Sequence, residues 1–402
     1  GGRGAYAGAC VANGVGSYLC SGAANSGTDT TQTLNPGGPL SVTTAAGFGI
    51  DTGNSTALRL TGTGGVTMID NNASAIAGSD GIVASNSGSG ALSIQTTGSV
   101  TGVSTYTYNY QTYASGTGIS VTNSGSDITV NAHTVSGANS GIQADNNGTG
   151  TTSITTTGDV TALGTSYNNA VGISVDSDQN ATDVTVNAHN VSGDGSGIYV
   201  RNIGTGTTSI TATGTVTGAA EDGIAATGSF SNSDVSITAV DVTGGRFGID
   251  TSAGGVLATI SVTATGTVTG GTDSGIRVDP GVPNASTVTV SANNVSGGTY
   301  GIEAQGEYDT LTVTATGTVT GATAAGILAS TSSRSNGLTV SAVDVSGGTD
   351  GINARHRGVG STIVTATGTV SGANGDGIYA FNDSGASTDL TVSAADVTAS
   401  AR

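Results

Sequence analysis

Apolar and polar residues alternate strictly in short stretches of this chain, and the same stretch returns about every 25 residues. In Leu311-Thr-Val-Thr-Ala315 the apolar set is Leu311, Val313 and Ala315, with threonines between. Such a period of two predicts a half-buried strand. After Gly317, Val319 returns to the interior, and Gly321 begins the turn to Gly326-Ile327. Gly301-Ile302-Glu303-Ala304 predicts one more short strand with Ile302 inward. Three short strands joined by three corners make one coil of a parallel β-helix, and glycine at the corners supplies backbone angles that other residues resist.

The beat of these coils is a Gly-Ile pair, with glycines at 49, 81, 118, 141, 172, 197, 223, 248, 275, 301, 326, 351 and 377. The last nine are 25 to 27 residues apart. No apolar stripe of helical period occurs, and hairpin turns do not recur at the spacing of an antiparallel sandwich. A propeller blade needs about 40 residues or more. The predicted fold is all-β: a single-stranded parallel β-helix, or solenoid, of about 25 residues per coil and 13 or more coils. The rule for parallel crossovers makes it right-handed. Residues 1–40 are expected to cap the stack and 41–402 to form the repeat domain. Two intervals break the beat: Gly81 to Gly118 takes 37 residues and Gly141 to Gly172 takes 31. Excess length leaves a solenoid as loops, so inserts are predicted near 103–117 and 163–170.

A finer pattern lies just before the returning valine. From Asn190 onward that position alternates between Asn or Asp and Thr: Thr215, Asp241, Thr267, Asn294, Thr318, Asp344, Thr369, Asp396. The Thr coils carry one extra residue at the bend, so the underlying unit is a pair of coils. Stacked in register, adjacent carboxylates would repel. Interleaved threonine separates them and offers a hydroxyl.

Composition narrows the function. The formal net charge is −18 and there is no lysine. Phosphate backbones and anionic membrane surfaces are therefore poor partners. No apolar run is long enough for a transmembrane helix. Cys10 and Cys20 are the only cysteines. They read either as a disulfide closing a short hairpin, which implies an oxidising compartment, or as a redox or metal pair, for which the spacing and lack of further ligands are unfavourable.

Candidate contact chemistry concentrates in the first insert. Tyr106, Tyr108, Tyr110 and Tyr113 lie within eight residues. Tyrosine presents a flat face and a hydroxyl, which suits a glycan or protein contact; the other reading is a loop folded over the coil wall. The second insert carries Tyr167 and Asn168. Asp176, Asp178 and Asn180 have the spacing that opens an EF-hand loop. Ala181 replaces the glycine and Asn187 the bidentate Glu, which leaves a weak Ca²⁺ site at most. His133 and His189 share a repeat position two coils apart, too far to share a metal. His356, between Arg355 and Arg357, reads as part of a solvated loop, or as a small cationic spot for an anionic sugar. Asn382-Asp383-Ser384-Gly385 has only a faint likeness to a protease nucleophile segment and lacks a partner base. The threonine rows around Thr213, Thr215 and Thr217 suit ice binding, but Asp241, Asn294 and Asp344 interrupt the array. No catalytic constellation emerges, and none is expected.

The Cys-x9-Cys start, the repeated Gly-Ile pairs and the Thr-Ala-Thr-Gly-Thr-Val-Thr-Gly phrases together resemble the passenger region of a bacterial type V autotransporter of the adhesin-like sort. The resemblance covers nearly the whole chain but rests on repeat style. It implies export across an outer membrane and an extracellular or cell-surface location. It also implies adhesion, self-association or biofilm formation, with a host or neighbouring-cell glycan or protein as partner. A structural solenoid stalk or filament subunit associating head to tail is the alternative. A carbohydrate-active β-helix enzyme is a more distant one.

Overall fold

The structure is a computed structural model that describes residues 8–108, 110–164, 169–228, 234–252, 258–279, 285–383 and 388–400. Among these residues there is no helix, and parallel stacked strands form a β-solenoid of about 14 turns, about 26 residues apart. The chain divides into two compact units, residues 1–204 and 205–402. Each contributes seven of the fourteen short strands of one parallel sheet, the column that holds the Gly-Ile pairs from Gly81 onward.

In the first unit a coil has three strands, as the alternation predicts. Ile82–Asn86, Leu92–Thr96 and Ser99–Gly102 make one coil, and Thr117–Asn123, Ile128–Ala132 and Thr134–Gly137 the next. Like stacks on like, with Ile82 beside Ile119, Ile94 beside Val130 and Val100 beside Val135. All six side chains are essentially inaccessible to solvent. Each such aliphatic side chain contributes about 1.5–3 kcal/mol on burial, and stacking repeats that gain coil after coil.

The first Gly-Ile pair does not belong to the beat. Ile50 stacks on Ile76, which stacks on Val100, so it occupies the returning-valine column. The residue that occupies the Gly-Ile column there is Leu58, paired with Ile82. The 32-residue interval between Gly49 and Gly81 therefore spans two different positions of the coil, and the true step from Leu58 to Ile82 is regular.

The stack starts on a hairpin. Ala9–Gly14 and Ser17–Ser21 pair antiparallel with Cys10 opposite Cys20, and the two sulfurs are bonded. Ser17–Ser21 then runs parallel to Leu40–Thr44, which converts the hairpin into the first rung of the solenoid. Gln32–Leu34 lies parallel to Leu58–Leu60 and is the first of the short strands.

In the second unit the two longer strands of each coil merge. Tyr308–Gly321 runs unbroken, with Leu311, Val313, Ala315, Val319 and Gly321 all inward. The corner after Ala315 is a bulge: the register with Gly337–Gly347 slips by one residue between Ala315 and Thr318. A bulge bends a strand without ending it, so a coil here is one short strand and one bent long strand.

The glycines of the Gly-Ile pairs serve packing; unusual backbone angles are expected of the corner glycines, and Gly317 and Gly321 do not adopt them. Among the described residues, left-handed glycines occur at 16, 22, 27, 37, 47, 53, 65, 116 and 164, and none is in the Gly-Ile column. A Cβ on Gly301 would lie 2.5 Å from Val319 Cγ1 and 2.6 Å from the Gly326 carbonyl oxygen. Gly81, Gly118, Gly223, Gly248 and Gly351 meet the equivalent valine and the next glycine carbonyl in the same way. The interior is narrow enough that the returning valine fills the space a side chain would need.

The Asp/Asn–Thr alternation also acquires a mechanism. Asp241 Oδ1 accepts the backbone N–H of Thr267 at 2.8 Å, Asn294 Oδ1 that of Thr318 at 3.0 Å, and Asp344 Oδ1 that of Thr369 at 2.8 Å. The extra residue in each Thr coil displaces this amide from the regular ladder, and the carboxylate or amide of the coil before receives it. The threonine backbone, rather than its hydroxyl, is the donor. The glycine in Thr-Gly-Thr-Val leaves room for that acceptor: a Cβ on Gly368 would fall on Asp344 Oδ1.

Candidate contact surfaces

The 37-residue interval contains an antiparallel hairpin, Ser104–Tyr108 with Gln111–Ser115, which forms a two-stranded sheet of its own. Its base is anchored in the coil. Val103 N–H donates to the Gly78 carbonyl at 2.9 Å, and the Gly116 carbonyl accepts from Ala138 and Asn139 at 2.9 and 2.8 Å. Gly116 has φ 118°, and a Cβ there would overlap the Ser79 carbonyl oxygen. The second strand therefore re-enters the coil at a position that only glycine fits. Without the twelve residues 104–115, Gly102 and Gly118 would be separated by three residues, as Gly137 and Gly141 are, and the interval would return to 25. The hairpin is thus a discrete addition to an otherwise regular coil.

Tyr106 and Tyr113 lie opposite each other across the hairpin, with ring centroids 5.4 Å apart and planes 20° apart. Offset aromatic pairing of this kind adds about 0.5–1.5 kcal/mol beyond burial and holds both rings in place. Tyr106 remains 54% exposed, and Tyr110 at the tip is fully exposed with φ 63°. Ser104 and Ser115 hydroxyls meet at 3.0 Å near the base. Residues 101–117 carry no ionisable acid or base other than tyrosine, in a chain of net charge −18. The hairpin is a neutral aromatic surface projecting from an acidic body. For Tyr108 the strand position is described; the side-chain placement lies outside the described residues.

The second insert leaves the same turn of the coil. Gly137 stacks on Ala162, and Leu163 and Gly164 N–H groups donate to the Gly137 and Ala138 carbonyls. One regular turn, 137–141, separates it from the hairpin. Leu163 is exposed. Tyr167 and Asn168 lie outside the described residues.

The calcium candidates are placed differently from a chelating loop. Asp176 is in a strand, paired with Asp145 on one side and Arg201 on the other. Both its oxygens accept from Arg201 Nη1, at 2.8 and 3.1 Å. Asp178 follows the strand, and its carbonyl accepts the Ala181 N–H. Among the described residues no group of three or more His, Cys, Asp or Glu is placed to hold a metal ion. His133 is exposed, with Nδ1 3.0 Å from Thr157 Oγ1, at the rim of an open groove of ≈ 500 Å³ along Gln95, Asn131 and Thr155.

His356 corrects the loop reading. It ends the strand Ile352–His356 and is fully buried, because the inward alternation of Ile352 and Ala354 continues to it. Its Nδ1 is 2.8 Å from Thr331 Oγ1, and burial lowers its pKa from the ordinary value. Arg355 and Arg357, of opposite parity, are left on the outside. Asn382 accepts from the Thr362 hydroxyl, while Ser384 and Gly385 lie outside the described residues.

Two polar clusters were not anticipated from the sequence. Asn86, Asn123, Asn146 and Asn202 form a buried corner column in the first unit. Asn123 Oδ1 accepts the Gly125 N–H, Asn146 Oδ1 that of Gly148 and Asn202 Oδ1 that of Gly204, each at 3.0 Å. The recurring Asn-x-Gly is its sequence signal. In the second unit Arg246 clamps the buried Asp222 at 2.9 and 2.8 Å, and Arg246 and Arg277 both lie over the Phe247 ring. Asp250 Oδ1 is 3.1 Å from Arg277 Nε. Burial nevertheless pushes the Asp250 carboxyl up to about 6, against the lowering effect of that arginine.

Comparison with protein-family models, with curated proteins and with solved structures returns no match in any of the three.

Proposed function

We propose that this chain is a non-catalytic, surface-displayed scaffold that acts in adhesion or self-association, in the manner of an autotransporter passenger, and that the tyrosine hairpin is its principal contact element. The observation that carries this reading is the hairpin's construction. A regular coil is interrupted by twelve residues that form their own sheet, project two exposed tyrosines and carry no charge. Neutral aromatic faces pack against the C–H faces of sugars and against apolar protein patches, and the phenol hydroxyls supply hydrogen bonds. Excising residues 104–115 tests the proposal, because it restores a regular coil and spares the stack. Adhesion or aggregation of cells displaying the chain falls if the hairpin makes the contact. Unchanged adhesion excludes it.

A second reading, a stalk or filament subunit, rests on the regular stacking of like on like from coil to coil, which needs no side-chain site. Sedimentation at increasing concentration distinguishes the two readings: head-to-tail growth that survives hairpin excision supports the filament.

A further inference from the structure

We propose a binding site for a carboxylate-bearing sugar, a uronic acid unit, in a groove of the second unit built around Arg355 and Arg357. It is independent of the tyrosine hairpin, which belongs to the first unit.

The groove has a volume of ≈ 370 Å³, enough for one sugar ring and part of a second. Its floor comes from three stacked short strands. Gln305 pairs with Ser330 and Ser330 with Arg355, so an amide, a hydroxyl and a guanidinium stand in one row at strand spacing. Leu328, one row over, and Tyr300 also line the groove, whose accessible surface is mainly polar. Arg357 follows the strand and is exposed.

The charges of this groove are not neutralised internally. Arg355 Nε is buried without a hydrogen-bond partner, and among the described residues neither Arg355 nor Arg357 forms an ion pair. This occurs in a chain with 27 acidic residues and 9 arginines, where pairing is the easier outcome. The nearest carboxylate in the lining, Asp350, is already committed: Oδ2 accepts from Asn353 Nδ2 at 2.7 Å and Oδ1 from the Asp376 N–H at 2.9 Å. His356, between the two arginines, faces the interior and takes no part.

An unpaired guanidinium presents a planar fork that matches a carboxylate. Alongside it, the Ser330 hydroxyl and the Gln305 Oε1 can exchange hydrogen bonds with ring hydroxyls, while Gln305 Nε2 is held by the Glu303 carboxylate at 2.6 Å. The combination of an anion clamp with a row of polar groups that match ring hydroxyls fits an acidic sugar better than a bare inorganic anion, which would use only the arginines.

Calorimetric titration of the whole chain with glucuronate, glucose, acetate and inorganic phosphate tests this. The expected result is measurable glucuronate binding, with glucose, acetate and phosphate each at least about tenfold weaker. Arg355→Gln and Arg357→Gln should each weaken glucuronate about tenfold or more, while Arg59→Gln, a charge-matched change in the first unit, leaves it unaltered. Arg357 is exposed, so its variant reports on binding without disturbing the fold. Acetate or phosphate binding as tight as glucuronate would overturn the sugar assignment. So would no glucuronate binding, or binding by both arginine variants as tight as that of the unsubstituted chain. Because free sugar is the probe, the outcome is separable from any result with the hairpin.

Discussion

Adding one methyl group to Gly301 should destabilise the second unit more than its size implies. The new Cβ would lie 2.5 Å from Val319 Cγ1, 2.6 Å from the Gly326 oxygen and 3.0 Å from the Thr320 oxygen. The valine is a side chain with no free space to turn into, being fully buried. The Gly326 oxygen is backbone, and it already accepts the Ile302 N–H at 3.0 Å. Relief of the clash therefore moves two coils apart and weakens a ladder bond. Overpacking costs about 1–3 kcal/mol, and the weakened bond adds about 1 kcal/mol. Gly301→Ala should cost about 2–4 kcal/mol. Gly337→Ala is the matched control, since its Cβ meets nothing closer than the Ser361 oxygen at 3.7 Å. Val319→Ala costs about 1–3 kcal/mol alone, and the double variant Gly301→Ala/Val319→Ala should cost less than the sum by about 1 kcal/mol. Rescue stays partial because the carbonyl clash remains. Hydrogen exchange at the Ile302 and Ile327 amides reads the effect locally, which suits a solenoid whose stability is set by neighbouring repeats. Gly301→Ala and Gly337→Ala agreeing within about 0.5 kcal/mol would refute the close-packing argument.

Two further outcomes follow from the corners. Asp344→Ala should remove protection from the Thr369 amide and cost about 0.5–1.5 kcal/mol, whereas Asp344→Asn retains both; equal loss in the two variants would assign the effect to charge. Asp70 is buried, and although burial pushes its carboxyl up, hydrogen bonds from the Thr44 and Ser74 hydroxyls and the Asn72 and Ser74 amides hold its pKa below the ordinary 3.8. A carboxyl lowered in the folded state contributes stability that is present above the unfolded value and lost as pH falls through the folded one. Acid unfolding of the first unit should therefore steepen below about pH 3.8, and Asp70→Asn should flatten it; an unchanged acid limb in that variant would contradict the assignment.

The sequence disclosed those features that depend on residue parity. Leu311, Val313, Ala315 and Val319 face inward as the alternation requires, and the late interval from Gly81 to Gly118 marks the hairpin. It misassigned features that depend on which strand stacks on which. Gly49-Ile50 has the right letters but the wrong column, since only pairing with Ala75 and Ile76 reveals its position. His356 looked solvated because it is flanked by arginines, yet its parity with Ile352 already placed it inside. The role of the glycines was hidden for a further reason: nothing in a glycine's own neighbourhood shows a valine from the other side of the coil. The tyrosine hairpin shows the same limit. Its length and composition were visible, but the stacking of Tyr106 on Tyr113 depends on a cross-strand register. The groove at Arg355 draws on three coils, and its members are spread over more than fifty residues.

The central functional claim is that the hairpin tyrosines make the contact and the solenoid holds them. The most direct measurement compares binding of the whole chain and of the variant Tyr106→Ser/Tyr110→Ser/Tyr113→Ser to the cells or chains it associates with, alongside the thermal unfolding of each. The account predicts a loss of binding of about tenfold or more, as expected when aromatic anchors are removed, with unfolding of the solenoid essentially unchanged. Full binding by the triple variant, with the same melting behaviour, would contradict it.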